Sequence, residues 1–113
     1  MLRITGNSGK QYLFDELFFH RSRYPKISSH GGVFLFLRKK NNGKYYPVYC
    51  DESSNMAHWF YSRKEDEYIL NGKPNRFCVL GLDSSEQRRR VKEDIIGNAN
   101  LKLISQMEWM EEG

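Results

Sequence analysis

The sequence has little of what builds a disulfide scaffold, a zinc site or a membrane span. It contains two cysteines and three prolines in 113 residues. Cys50 and Cys78 each lie in an apolar, strand-like run, so we expect small buried thiols rather than a disulfide or metal ligands. No secretory signal is visible and every apolar run is far below bilayer length. These absences favour a reducing compartment, and we expect a cytoplasmic protein without a membrane segment.

Two familiar kinds of site are also missing. The glycine-containing segment 5–10 ends in Lys10, but it lacks the spacing of a P-loop and the Ser or Thr that follows the P-loop lysine. The three histidines, His20, His30 and His58, have no spacing typical of a metal site or a catalytic triad. The residues by themselves therefore predict no cofactor and no bound metal.

What the sequence has is enough apolar material for one core. A chain of 113 residues is expected to form one domain, residues 1–113. Seven Tyr, seven Phe and two Trp make that core aromatic. Apparent strands alternate with apparent helices, which predicts an α/β or α+β fold with a small mixed or antiparallel sheet flanked by helices.

The strongest structural signal lies in residues 31–51. The run 33–37 is apolar at every position, which predicts a central strand covered on both faces. The polar segment Asn41-Asn42-Gly43-Lys44 then leads into a second aromatic run, residues 45–50. Two such runs around an Asn/Gly segment predict a β-hairpin.

The rest of the chain is expected to support this hairpin. A second hairpin is predicted within residues 1–14, followed by an extended connection over 15–29 that brings Phe18 or Phe19 to the core. A short helix should then place Met56, Trp59 and Phe60 on one face.

The second half of the chain has clearer signals for where helices and strands begin and end. Asn71-Gly72 is expected to end a helix with a left-handed residue, before a strand over residues 76–82. The segment 83–87 has capping-box spacing and should begin a helix with Val91, Ile95 and Ala99 on its core face and the arginines 88–90 on an exposed flank. Residues 101–104 look strand-like, and residues 106–112 could form a final helix.

This layout resembles that of the GIY-YIG nuclease family. Gly32-Val33-Phe34 and Tyr49-Cys50-Asp51 stand where that family has its two tripeptides on adjacent strands, and the likeness continues to the helix segment Asp94-Ile95-Ile96. The resemblance implies a GIY-YIG-like domain. In that family two tyrosines lie beside the scissile phosphate, an Arg of the first helix stabilises phosphate charge and a helix Glu holds a divalent metal.

Three of those four functional positions hold a different kind of side chain. Phe34 replaces the first tyrosine, the arginine position falls at or near Trp59, and Lys92 occupies the metal-ligand position when the helix is aligned by its apolar residues. Tyr49 is retained. Next to it, Asp51 puts a negative charge where the family has a glycine that lets phosphate approach.

Glu93 is the alternative metal ligand. Using it would shift the helix register by one residue and turn the apolar side chains by about 100° off the core face. Tyr49 and Glu93 are thus the candidate catalytic residues, with Phe34, Trp59 and Lys92 as degenerate positions.

Basic residues are unevenly placed along a chain of formal net charge +4. Such clusters bind phosphate by releasing counterions, although the same clusters could simply be solvated. The candidate nucleic-acid-binding residues are Arg38, Lys39, Lys40, Lys44, Arg88, Arg89 and Arg90.

Three hypotheses follow. The first, which we prefer, is a catalytically impaired GIY-YIG-like domain that binds nucleic acid, or else a protein. The second is an active endonuclease with displaced ligands, which would use Tyr49 and Glu93 with Mg²⁺ or Mn²⁺. In that case Glu93→Ala should abolish cleavage. The third is a protein-interaction module with no role on nucleic acid.

Overall fold

The computed structural model describes residues 1–20, 23–63 and 65–98, which form one antiparallel sheet and three helices. In chain order the elements are β1 (Leu2–Thr5), β2 (Gln11–Phe18), β3 (Gly32–Lys39), β4 (Tyr45–Ser53), α1 (Met56–Arg63), α2 (Glu67–Leu70), β5 (Arg76–Gly81) and α3 (Ser85–Ile96). The strand order is β1-β2-β5-β3-β4, with every pairing antiparallel. The fold is α+β, and its sheet is antiparallel rather than mixed.

The apolar run of β3 forms the centre of the sheet, as predicted. It pairs with β4 on one side and β5 on the other, and its residues 33–36 are fully buried. Phe34 and Phe36 face a core cluster shared with α1 and α2, whereas Val33 and Leu35 face a second cluster closed by α3. The sheet therefore lies between two layers of helix.

Both cysteines belong to the cluster on the α3 side. Cys50 and Cys78 are buried and free, as expected from their apolar surroundings. They lie on strands on either side of β3, each opposite Leu35. Burial raises the pKa of the Cys78 thiol to about 12, so this thiol is protonated and unreactive at neutral pH.

The predicted β3–β4 hairpin is confirmed. The Lys40 amide donates to the Lys44 carbonyl over 2.9 Å, and the Asn42 side chain accepts from the Lys44 amide at the same distance. Gly43 has φ +83°, a backbone conformation that glycine adopts without steric cost. The Asn/Gly segment therefore closes this turn by the mechanism its composition indicates.

The first hairpin is also confirmed, but its second strand is longer than the sequence suggested. β2 runs through Phe18 and pairs with β5 from Asp15 onward, so the extended connection begins only after Phe18. Phe19 is buried in the core, whereas Phe18 is 75% exposed. Pairing with β5, which lies 58 or more residues later in the chain, extends β2 and gives no local sequence signal.

The ends of the helices agree with the sequence in part. Ser84 caps α3 and accepts a hydrogen bond from the Gln87 amide, as the capping box predicts. The left-handed residue after α2 is Lys73, with φ +53°, instead of Asn71 or Gly72. Helix-like hydrogen bonds continue through the amides of Gly72 and Lys73, which moves the reversal along the chain. Ala99 and the elements expected over 101–104 and 106–112 lie outside the described residues.

No helix within the described ranges is both long enough and apolar enough to cross a bilayer.

Asp94 ties α3 to the turn of the first hairpin. Its carboxylate accepts hydrogen bonds from the Ser8 amide at 2.8 Å, the Ser8 hydroxyl at 2.7 Å and the Tyr12 hydroxyl at 2.7 Å. Its backbone carbonyl accepts from the Asn7 amide. The Ser8 and Tyr12 hydrogen bonds lower the pKa of Asp94, while burial and the Asp94 hydrogen bond raise the pKa of Tyr12 to about 12.

We expect Asp94→Asn to lower the free energy of unfolding by about 1–2 kcal/mol at pH 7, because charged acceptors make the stronger hydrogen bonds. The native pKa of Asp94 lies below its unfolded value, so this stabilisation is present above pH ~4 and lost as the pH falls through the native pKa. Urea unfolding at pH 7 and pH 3 should show the difference between wild type and Asp94→Asn shrinking in acid. Glu93→Gln, an exposed change on the same helix, is the control; an equal difference at both pH values would contradict this account.

Candidate functional site

Phe34, Tyr49 and Trp59, three residues singled out by the resemblance, lie close together. The rings of Tyr49 and Trp59 are stacked with centroids 5.7 Å apart, and Trp59 lies 4.4 Å from Phe34. Arg63, one turn beyond Trp59 on α1, places its guanidinium carbon 5.5 Å from the centre of the Trp59 ring. Strands β3 and β4 and helix α1 thus bring one aromatic column together, with an arginine on its end.

An ion pair from α3 completes this cluster. Lys92 donates from Nζ to Asp51 Oδ1 over 3.1 Å, and the Tyr49 hydroxyl donates to Asp51 Oδ2 over 2.9 Å. Burial first, and then the Asp51 carboxylate, raise the pKa of Tyr49 well above its ordinary value. Tyr49 therefore remains a protonated phenol at neutral pH and cannot act as a general base there.

The side chains present do not fit a divalent metal. The ammonium of Lys92 already neutralises Asp51, and it would repel a second cation brought to the same carboxylate. Within residues 1–20, 23–63 and 65–98 there is no group of three or more His, Cys, Asp or Glu side chains suited to hold a metal. At the cluster around Tyr49, a partly buried ion pair between Lys92 and Asp51 therefore stands where a metal site would need free carboxylates.

Glu93 lies apart from this cluster. It is exposed on α3, one residue after Lys92, and none of the hydrogen bonds or ion pairs of the described residues uses its side chain. Since successive helical residues point about 100° apart, the side chain that faces Asp51 is that of Lys92. Glu93 remains a candidate metal ligand only under the second hypothesis, that of an active endonuclease with displaced ligands.

A second feature lies at the tip of the β3–β4 hairpin. Here a shallow, open depression with a volume of about 480 Å³ is lined entirely by basic and amide side chains. The lining residues are Arg38, Lys39, Lys40, Asn41, Asn42, Lys73 and Asn75. We call this surface the hairpin groove. Lys44 is exposed in the turn that borders it.

The lysines and the backbone of the groove are held in place. Lys39 Nζ lies 5.2 Å from the centre of the Tyr45 ring, and Lys40 Nζ lies 4.2 Å from that of Tyr46. The Asn75 side chain accepts from the Lys39 amide over 2.7 Å and donates to the Lys39 carbonyl over 3.0 Å. These contacts restrict the lysine side chains before any ligand arrives, which lowers the entropy lost on binding.

Comparison of the chain with protein-family models, with curated proteins and with solved structures finds no match.

The second basic cluster differs from its prediction. Arg88 is 6% exposed rather than part of an open flank, because it donates to Glu52 and to the carbonyls of Leu82 and Asp83. Arg90 is exposed but forms an ion pair with Glu86. Of the three arginines, only Arg89 is an exposed cation without an ion pair among the described residues.

The two predicted basic clusters also do not meet. Arg88 lies beside Gly31, immediately before β3 begins, whereas the hairpin groove lies where β3 ends. Eight residues of extended strand separate them by about 26 Å. They cannot form one compact phosphate site.

Two members of the groove were not found from the sequence. Lys73 lies in the turn after α2, and Asn75 lies immediately before β5. Pro74 between them signals a turn, but only the pairing of β5 with β3 shows that this turn lies beside the hairpin tip. The sequence did not show which strands, distant in the chain, pair with each other.

Proposed function

We propose that this chain is a GIY-YIG-like domain that has lost nuclease chemistry and binds nucleic acid through the hairpin groove. The observation that carries the binding proposal is the composition of the groove, which combines Arg38, Lys39, Lys40 and Lys73 with three asparagines and no carboxylate. Cations bind phosphate by counterion release, and side-chain amides add hydrogen bonds to phosphate and sugar.

The backbone at Lys73 supports a ligand-binding role for the groove. Its φ of +53° lies in the left-handed region, where a side chain with a Cβ is disfavoured by about 1–2 kcal/mol. Glycine or asparagine would suit this position better. Strain of this kind persists where surrounding structure enforces it and is concentrated at functional sites.

The cluster around Tyr49 supports the proposed loss of cleavage. Phe34 has no hydroxyl, Tyr49 is held protonated, and Lys92 stands where the resemblance implies a metal-binding carboxylate. Trp59 contacts both Phe34 and Tyr49, and Asp51 links Tyr49 to Lys92, as a shared layout would give. An ammonium at the metal position repels a divalent ion and cannot lower the pKa of a bound water as a metal does, so we expect binding without cleavage.

The test is a salt titration with labelled single-stranded and duplex DNA and RNA in the presence of Mg²⁺ or Mn²⁺, so that cleavage is seen in the same samples. The variant with Lys39, Lys40 and Lys44 all changed to Ala should bind at least about tenfold more weakly at low salt. The slope of log affinity against log salt should fall by about 2–3, the value for three lost phosphate contacts.

The matched control changes Arg3, Lys10 and Lys26 to Ala. These residues are exposed and lie outside the groove, and both triple variants lower the formal net charge from +4 by the same amount. Equal loss of affinity in the two variants would show that net charge alone acts, and would refute the groove. Metal-dependent cleavage by the wild type that is lost in Glu93→Ala would instead support the nuclease hypothesis, and binding to no nucleic acid would leave the protein-interaction hypothesis.

A further inference from the structure

An exposed aromatic ring lies at the same end of the sheet as the hairpin groove. Phe18 is 75% exposed, although it lies within β2 and pairs directly with Arg76 of β5. The adjacent Phe19 fills the core, so Phe18 contributes little to packing there. One exposed apolar side chain is ordinary in itself, and the setting of this ring is what distinguishes it.

Arg76 supports one face of the Phe18 ring. Its guanidinium carbon lies 4.3 Å from the ring centre. The guanidinium is fixed by Glu16, which accepts from Nε over 3.1 Å, and by the Asn75 carbonyl, which accepts from Nη1 over 2.9 Å. Glu16 is held in turn by the Tyr45 hydroxyl over 2.6 Å. One face of the Phe18 ring is therefore covered by a guanidinium that is held by hydrogen bonds, and most of the side chain is open to solvent.

Asn75 connects the hairpin groove to Arg76, the residue that covers one face of the Phe18 ring. Asn75 lines the groove, pairs its side chain with the backbone of Lys39, and directly precedes Arg76 in the chain. Tyr45, which holds Glu16, also lies against the Lys39 ammonium. Phe18 and the hairpin groove thus lie at the same end of the sheet and are linked through hydrogen bonds and cation–ring contacts, and we treat them together as one candidate surface.

We infer that this surface binds single-stranded nucleic acid, with an unpaired base stacked on Phe18 and the neighbouring phosphates in the hairpin groove. The inference rests on the proposed function and names its ligand class. An aromatic platform beside a cationic groove matches what an unpaired strand offers, namely base faces and a flexible backbone. A duplex hides its base faces except at its ends, so a stacking ring would add nothing to binding along a helix.

Fluorescence anisotropy with the full chain tests this inference. The probes are a labelled oligothymidylate of about 12 nucleotides, within the usual site size for such surfaces, and a closed DNA hairpin whose two duplex ends are joined by non-nucleotide linkers, so that it has no unpaired base. We expect the single strand to bind more tightly than the hairpin. Phe18→Leu should weaken single-strand binding by about tenfold, leave hairpin binding within about twofold and keep the salt slope, since it removes stacking and no charge.

Two variants control for aromaticity and for loss of surface apolar area. Phe18→Trp keeps a stacking ring and should retain single-strand affinity, whereas Leu13→Ala, which changes another exposed apolar residue of β2, should behave as the wild type. Circular dichroism establishes that each variant is folded. Together the variants separate stacking on Phe18 from a general change in β2.

The outcomes distinguish this inference from the function on which it rests. If Phe18→Leu binds the single strand as the wild type does, or weakens both probes equally, the stacking role is wrong. The proposed function survives that result, provided that the Lys39/Lys40/Lys44 triple variant remains weaker than its charge-matched control. If no probe binds, or if the two triple variants are equal, the nucleic-acid function itself fails.

Discussion

Gly32→Ala is expected to lower the free energy of unfolding by about 3 kcal/mol, the upper part of the usual range for overpacking. A Cβ on Gly32 would lie well inside van der Waals contact of the Leu80 carbonyl oxygen, and 2.7 Å from both Sδ and Cε of Met56. The Met56 side chain can move, but the Leu80 carbonyl belongs to the β5 backbone. The collision with this carbonyl is therefore relieved only by separating β3 from β5.

Gly81→Ala provides a matched control because Gly81 is the cross-strand partner of Gly32. A Cβ on Gly81 would have its nearest neighbour, the Gly31 carbonyl oxygen, at 4.0 Å. This substitution should be neutral or stabilising by a few tenths of a kcal/mol, since it restricts the unfolded chain. Thermal unfolding should show a loss of about 10 °C for Gly32→Ala alone. Similar losses in both variants would contradict the role given to the close approach at Gly32.

Gly32 also shows which features of the fold a local sequence pattern can predict and which it cannot. The apolar run 33–37 correctly predicts the central strand, which begins at Gly32. The sequence does not show why a glycine is required, because the Leu80 carbonyl and the Met56 side chain come from segments more than 20 residues away. Hairpin turns and helix caps are predictable because their hydrogen bonds join near neighbours, as in the turn before Lys44 and the cap at Ser84.

The candidate site was predicted less completely for the same reason. The resemblance placed Tyr49, Trp59 and Lys92 at related positions, and the structure brings them into one cluster. It gave no indication that Asp51 and Lys92 neutralise each other, because the two residues are 41 positions apart. The sequence predicted that Phe18 or Phe19 would lie on the core but not which one, and Phe19 is the buried residue.

Arg88 is a case in which a signal was present. Arg88, Val91 and Ile95 are spaced by three and four residues, so they share one face of α3. The charge suggested an exposed flank, whereas the helical period indicated the core side. The period is the better guide here, because Glu52 and two backbone carbonyls satisfy the guanidinium inside the protein.

Arg88→Met is expected to lower the free energy of unfolding by about 3 kcal/mol, since it leaves two backbone carbonyls and the partly buried Glu52 carboxylate without their donor. The guanidinium donates to Glu52 Oε1 over 2.9 Å, to the Leu82 carbonyl over 3.0 Å and to the Asp83 carbonyl over 2.7 Å. These contacts join β4, the N-terminal cap of α3 and the end of β5. Urea unfolding at neutral pH measures the loss.

Arg89→Met is the matched control, because it removes the same charge from the next residue of the helix, where the side chain is exposed. It should change stability by less than about 0.5 kcal/mol. Equal effects of the two substitutions would mean that the buried contacts of Arg88 contribute nothing beyond helix propensity and net charge.

The double variant Arg88→Met with Glu52→Leu tests whether the loss of stability comes from the unpaired Glu52 carboxylate. If the unpaired Glu52 carboxylate carries most of the cost, replacing it as well should recover about 1 kcal/mol or more relative to Arg88→Met alone. If the double variant is no more stable, the cost lies mainly with the carbonyls of Leu82 and Asp83, which the second change leaves without their donor. In either case, affinity for nucleic acid per folded molecule should stay unchanged, because Arg88 is buried at the end of β3 opposite the hairpin groove.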